Sequence, residues 1–203
     1  MQASTQLSID SDQIKKAIQA KYAEVSVSAS EKFAYPIGRE GARSLGYDPM
    51  VLHGTPEWLL VSFCGVGNPF LLGNILPNKT VLDYGCGVGF DLFVASGLVG
   101  PKGSVCGIDL TGDMVRRAKE NLTRAGIRNF EVKQVDSENI PYESGFFDVV
   151  ISNGVINLVP EKEQVFCEIH RVLKPGGRLQ FADVVVEKPL PLGMAGSAEA
   201  WSQ

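Results

Sequence analysis

The 203-residue chain is long enough for one domain and a peripheral segment around a real hydrophobic core. Its 44% hydrophobic content, mean hydropathy of +0.04, net charge of −4 and isoelectric point near 5.3 describe a globular protein without the basic face of a nucleic-acid binder. No apolar run approaches the ~18 residues of a membrane helix, and residues 1–6 lack the basic start and apolar run of a signal peptide. A cytoplasmic location is therefore expected, with neither nucleic acid nor membrane as a partner. Cys64, Cys86, Cys106 and Cys167 form no C-x-x-C pair, so free thiols are expected rather than disulfides or a metal site.

Residues 1–10 are polar and expected to be mobile. From Asp12 to Val25 the apolar Ile14, Ala17, Ile18 and Tyr22 recur at helical spacing, predicting an amphipathic helix. Residues 26–54 are rich in Gly, Ser and Pro and read as loops with short helical turns. Thr55-Pro56 predicts a helix with Thr55 as N-cap, and Asn68-Pro69 predicts a second start. From Thr80 the pattern alternates. Strands are expected at 80–84, 104–109, 130–135, 147–152 and 178–186, with helices near 90–98, 111–125, 161–172 and 194–202. Such alternation predicts an α/β fold with a doubly wound, mainly parallel sheet, whose ligand site lies beyond the carboxyl ends of the strands. The expected organisation is a helical and loop lid at 1–73, a core at 74–187 and a tail at 188–203.

The first strand runs into Asp83-Tyr84-Gly85-Cys86-Gly87-Val88-Gly89, a D-x-G-x-G-x-G turn opening a helix. The dinucleotide fingerprint G-x-G-x-x-G would need its last glycine at position 90, which is Phe90. Backbone N–H groups and the Asp83 carboxylate are thereby brought close to a small ligand. Asp109 ends the second strand, where an acid accepts both hydroxyls of a ribose; capping the helix that starts near Gly112 is the rival role, with Thr111 the better cap. Leu110 and Met114 are placed to sandwich an adenine. Asp136, followed by Ser137 and Glu138, ends the third strand where an adenine amino group would lie, against the alternative of an ordinary turn carboxylate. Asn153 leaves the fourth strand toward the same crevice. Asp148, near a strand start, and the Lys174-Pro175-Gly176-Gly177 turn read as structural.

The D-x-G-x-G-x-G element resembles motif I of the class I S-adenosylmethionine (SAM) methyltransferases, and five segments in order resemble their Rossmann-like fold from about residue 74 to 187. A sulfonium cation with a free amino group has a use for the carboxylate that a pyrophosphate lacks. Further phrases resemble the arsenite methyltransferase family across nearly the whole chain. They are Gly67-Asn68-Pro69, Leu98-Val99-Gly100-Pro101-Lys102-Gly103, Gly107-Ile108-Asp109-Leu110-Thr111, Ile151-Ser152-Asn153-Gly154-Val155-Ile156-Asn157-Leu158, Pro189-Leu190-Pro191 and Ala198-Glu199-Ala200-Trp201, with Tyr22 and Leu45-Gly46-Tyr47. The resemblance implies SAM as cofactor, held by Asp83, Gly85, Cys86, Gly87, Gly89, Asp109, Leu110, Met114, Asp136, Ser137 and Asn153, and a small-molecule methyl acceptor.

The chain departs from that family where arsenic would be held. Family cysteines align with Val66 and Gly154, another is expected beyond Gln203, and none precedes Cys64, which stands two residues early. Soft thiolates suit a soft centre, and a three-thiolate site cannot be assembled from these aligned positions. The expected reaction is in-line methyl transfer to a small acceptor: arsenite or another metalloid, a small thiol or a small organic molecule. Asn153, His53 and Cys64 are the candidate catalytic residues, with Asn157, Tyr35 and Tyr47 as alternative orienting groups; His170 reads as structural. A SAM-binding protein without catalysis is the alternative. Only a short segment follows the fifth strand, so the last two strands of the family sheet are expected to be missing and an edge-to-edge homodimer is a candidate assembly.

Overall fold

The computed structural model describes residues 10–185 and Glu187. The polar stretch before residue 10, the expected helix at 194–202, the tail at 188–203 and the phrases at 189–191 and 198–201 lie outside the described residues.

The chain opens with α1 (Ser11–Val27), whose N-cap Asp10 accepts the Asp12 N–H. Three short helices follow, α2 (Gly38–Ser44), α3 (Pro49–Gly54) and α4 (Glu57–Leu60). Thr55 does not cap the last of these. Its hydroxyl donates instead to the Val51 carbonyl at 2.7 Å, closing the end of α3, and Pro56 takes the cap position without a side-chain bond. Asn68 does cap, accepting the Phe70 N–H at 3.0 Å, but the turn it starts, Pro69–Leu72, is a 3₁₀ helix.

The alternating part comprises β1 (Thr80–Tyr84), α5 (Phe90–Val99), β2 (Ser104–Asp109), α6 (Gly112–Arg124), β3 (Phe130–Gln134), β4 (Phe147–Asn153), α7 (Lys162–Val172) and β5 (Leu173–Ala182). All pairings are parallel, in the order β3-β2-β1-β4-β5. The order reverses beside β1, which creates the crevice where ligands bind in such sheets. The fifth strand begins earlier than position 178 and ends before 186. Leu173 already pairs with Phe147, and the residues up to the next pair, Arg178 with Val149, form an irregularity in which Gly176 adopts φ +79°.

Helices cover both faces of the sheet. Leu92, Ala95, Val115, Ala118 and Leu122 of α5 and α6 pack with Val81 and Val105 on one face. Val165, Ile169 and Val172 of α7 pack with Leu82, Ile108, Phe147 and Val150 on the other. Each such fully buried aliphatic contributes about 1.5–3 kcal/mol. Gly107 marks the tightest approach on β2, because a Cβ there would lie 2.6 Å from Leu92 and 2.7 Å from the Cys86 sulfur. The segment before the sheet joins this core in two places. Tyr47 and Phe63 meet Phe90 edge-on or tilted, while α1 packs against α6 and places Ile14 and Ile18 against Leu158 and Leu110.

Candidate functional site

At the end of β1 the chain reverses through Gly85, Gly87 and Gly89, whose φ values of +77°, +51° and +90° are accessible to glycine at little cost. The Gly85 and Cys86 N–H groups donate to the Ile108 carbonyl, tying the turn to β2. A Cβ at Gly85 would strike Val155 at 2.4 Å, whereas one at Gly87 would meet nothing within 4 Å, since Gly87 faces an open crevice. That crevice holds about 1110 Å³ of empty space, counting its open mouth. Its floor is the glycine turn. Its walls are the ends of β2 and β4, residues 62–65 and the inner face of α1, from Lys15 to Tyr22.

Three carboxylates converge here. Asp83 is 2% exposed and, among the described residues, has no hydrogen bond or ion pair. Burial, followed by the charges of Asp91 and Asp109, pushes its pKa well above the usual carboxylate value. Asp91, in the first turn of α5, is also buried; it accepts the Tyr47 hydroxyl at 2.6 Å and the Asn153 amide at 3.1 Å. Asp109 accepts the Gly87 N–H and the Thr111 N–H, each at 2.9 Å. Burial raises Asp91 and Asp109 to about 6, against the hydrogen bonds that hold them ionised. The positively charged lining residue, Lys15, is engaged elsewhere, with Glu138 at 3.1 Å and the Asp136 carbonyl at 3.4 Å. A pocket in which three of four lining acids have no ion pair among the described residues is arranged for a positively charged ligand.

Most expected site residues meet here. Asp83, Gly85, Cys86, Gly87, Asp109, Leu110, Met114, Ser137, Asn153 and Cys64 all line the crevice. Gly89 lies one step deeper, as the left-handed N-cap of α5, where a Cβ would press on Ala118 and Leu122. Thr111 holds the N-cap position of α6 but makes no side-chain cap bond, and Asp109 ties the glycine turn to the start of that helix by accepting the N–H groups of both Gly87 and Thr111. Asp136 does not reach the crevice. Its residue is exposed, and the adjacent Glu138, 7% exposed, takes the inward position. His53 is exposed on α3 and outside the crevice, so the structure gives it no place as a base.

Asp91, Glu138 and the face of α1 were not expected. A signal for Asp91 existed, an acid in the first turn of a helix that begins at the glycine motif. Cys64 borders the crevice as a thiol whose burial pushes its pKa up to about 12, despite the opposing charge of Lys21. Val66 and Gly154 face each other: a Cβ on Gly154 would stand 3.3 Å from both Val66 methyl carbons.

The same architecture occurs among known proteins. A family model described as Methyltransferase domain matches residues 75–203. The arsenite methyltransferase of Halobacterium salinarum is 40% identical over 151 residues, which cover 74% of this chain and 38% of that protein. That of Mus musculus is 32% identical over 205 residues, covering 96% of this chain and 54% of that protein. A solved arsenic(III) S-adenosylmethionine methyltransferase from Chlamydomonas reinhardtii is 33% identical with a TM-score of 0.59, over 83% of this chain and 58% of that one. The chain thus spans about half or less of the length of these two curated relatives. Among the described residues no helix is long and apolar enough to cross a membrane. Matched by that family model over residues 75–203, more than half of its length, the chain belongs to the methyltransferase domain family.

Proposed function

We propose that the chain transfers the methyl group of SAM to a small acceptor that carries no negative charge or is a soft nucleophile. The observation that carries this reading is the group of acids, buried Asp83 and Asp91 and half-buried Asp109, around an open glycine turn. SAM fits these residues. Its ammonium and sulfonium charges offset uncompensated carboxylates, its ribose hydroxyls match the remaining acceptor capacity of Asp109, and its adenine matches the apolar Leu110 and Met114. Bound SAM supplies an already activated methyl carbon, so the chain's own task is to orient the acceptor and exclude water. Phe63, Cys64, Gly65, Gly154, Val155 and Leu158 form the wall available for that task.

The acceptor follows from the same wall. The relatives from Halobacterium salinarum and Mus musculus are arsenite methyltransferases by name, which supports a metalloid acceptor. Opposing it, Val66 and Gly154 stand at the aligned thiol positions, and Cys64 is a neutral thiol at physiological pH. A small thiol, or a small organic nucleophile, needs no thiolate clamp. Calorimetry with SAM and S-adenosylhomocysteine tests the donor. Release of S-adenosylhomocysteine with arsenite, sulfide, methanethiol and phenols tests the acceptor: turnover with arsenite alone assigns a metalloid and overturns the preference for a thiol or organic nucleophile, and binding without any turnover leaves a SAM-binding protein.

A further inference from the structure

The loop at residues 64–67 is held at its start by Tyr35, whose hydroxyl donates to the Cys64 carbonyl at 2.9 Å, and at its end chiefly by Asn153. Asn153, the last residue of β4, accepts the Val66 N–H at 2.9 Å and the Gly67 N–H at 3.0 Å on Oδ1. Its Nδ2 donates to the Gly67 carbonyl at 2.9 Å, to Asp91 Oδ2 at 3.1 Å and to the Tyr47 hydroxyl at 3.1 Å. The loop lies directly on this amide, since a Cβ at Gly65 would sit 2.4 Å from Nδ2. Tyr47 completes the arrangement by donating to Asp91 Oδ1 at 2.6 Å. One buried network therefore joins the acceptor wall to α5, and α5 begins at the glycine turn.

Asp91 is the member of the network whose charge is variable. Facing it are Asp83 from β1, Tyr47 from the segment after α2 and the neutral Asn153 from β4, with Asp109 beyond Asp83 on β2. Among the described residues none of these contributes a positive charge. An ionised Asp91 accepts both the Tyr47 O–H and the Asn153 N–H. A neutral one carries a proton on one oxygen and accepts less strongly there, so its hold on the two donors weakens. The Tyr47 hydroxyl then has a second acceptor in the Gly67 carbonyl, 3.4 Å away, where it competes with the Asn153 amide for the loop. Burial lifts the Asp91 carboxyl to about 6, so its two states are close in energy near neutral pH.

We infer that a cation bound beside Asp83 keeps Asp91 ionised and thereby locks residues 64–67 through Asn153, so that donor binding builds the acceptor side of the site. Asp91 and Asn153 are positioning residues in this scheme, and the donor binds before the acceptor. The inference rests on the proposed donor site.

Hydrogen exchange of the Val66 and Gly67 amides, followed by mass spectrometry on the whole chain, tests it. Each protein is measured free and with SAM well above its own dissociation constant. In the wild type, SAM slows these amides about tenfold or more; in Asp91→Asn the slowing is about threefold or less, and Tyr47→Phe falls between. Equal protection in Asp91→Asn means that the ligand covers the loop directly, and overturns the inference. So does an absence of protection in the wild type. Failure of the wild type to bind SAM by calorimetry defeats the donor reading first, and the inference with it. If Asp91→Asn fails to fold, Tyr47→Phe decides: protection equal to wild type overturns the proposal.

Discussion

The two ends of the sheet treat their acids in opposite ways. At the amino-terminal end Asp148, the second residue of β4, accepts the Lys79 ammonium at 3.0 Å, the Lys174 ammonium at 2.8 Å and the Thr80 N–H at 3.0 Å. Partial burial raises its pKa, but these three partners outweigh it and hold the carboxyl at about 2. At the carboxyl-terminal end Asp83 and Asp91 are buried and Asp109 is half-buried; among the described residues none of the three has an ion pair, and all are raised. The first arrangement ties β1, β4 and β5 together where their strands begin. The second leaves charge uncompensated, which costs the free protein stability and is sensible where a cationic ligand completes the site.

The sharpest way to break this comparison is to neutralise one acid at each end. Asp83→Asn should weaken SAM binding by about 10–100-fold, the loss of one or more charge-assisted contacts, and should raise the melting temperature of the free protein by several degrees, roughly 2–4 °C per kcal/mol. Asp148→Asn should do the reverse. Its lysines are about 40% exposed, so the loss is about 1 kcal/mol, seen as a melting temperature lower by about 2–4 °C with SAM affinity unaltered. Calorimetry and thermal melts on the two variants settle it; changes of the same sign in both would show that the ends do not differ in purpose.

A pH series gives the next largest effect. Asp91 and Asp109 have folded values of about 6 against 3.8 for the free carboxyl. Between those values the folded state holds more protons than the unfolded one, so free-protein stability falls as pH rises from 4 through 6, by up to roughly 3 kcal/mol per group. SAM binding has the opposite slope. Its affinity should be steady above about pH 7 and drop by up to about tenfold per unit below 6, because the cation needs ionised partners. Asp148 acts in a separate window: its stabilisation is complete above 4 and lost as pH falls toward 2. Stability of the free protein that rises steadily from pH 4 to 7 would contradict the placement of the raised acids.

Which of these features were legible in advance depends on how local their causes are. The bounds of β1 and β2 match the expected ones residue for residue, because strand, glycine turn and helix start are neighbours in the chain. Asp148 reads as structural from its place near a strand start, although the partners that hold it, Lys79, Thr80 and Lys174, lie at or beside the starts of other strands and are not legible locally. The Asn153 network was not legible: its partners Tyr47, Gly67 and Asp91 are far apart in sequence, and only the folded core brings them together. The pattern of α1 predicts a buried face through Ile14, Ile18 and Tyr22 but contains nothing that names the crevice as what it covers. Asp136 was chosen over Glu138 because it ends the strand; the turn after β3 points the later acid inward, where Lys15 meets it.

That last contact supplies a more modest test of α1 as the cover of the site. The Lys15 and Glu138 side chains are 21% and 8% exposed, so the pair is better shielded than a surface ion pair. Lys15→Ala should speed SAM dissociation about fivefold, roughly 1 kcal/mol, by loosening α1 over Glu138. Stopped-flow displacement reads this directly, and a dissociation rate within about twofold of wild type would show that α1 is fixed by its apolar face alone.

The smallest effect is expected at His53, and it separates the two halves of the sequence reading. As one of two imidazoles in the chain, His53 was a natural candidate for a base, since histidine exchanges protons near neutrality. The structure places it exposed in the last turn of α3, outside the crevice, whereas Asp91 lies within it. A base must come within hydrogen-bond reach of the proton it removes. His53→Ala should therefore leave the rate of methyl transfer within about twofold of wild type and the acid limb of its pH profile in place. Loss of that limb in His53→Ala would return the imidazole to the site and require the segment around α3 to close over the crevice during turnover.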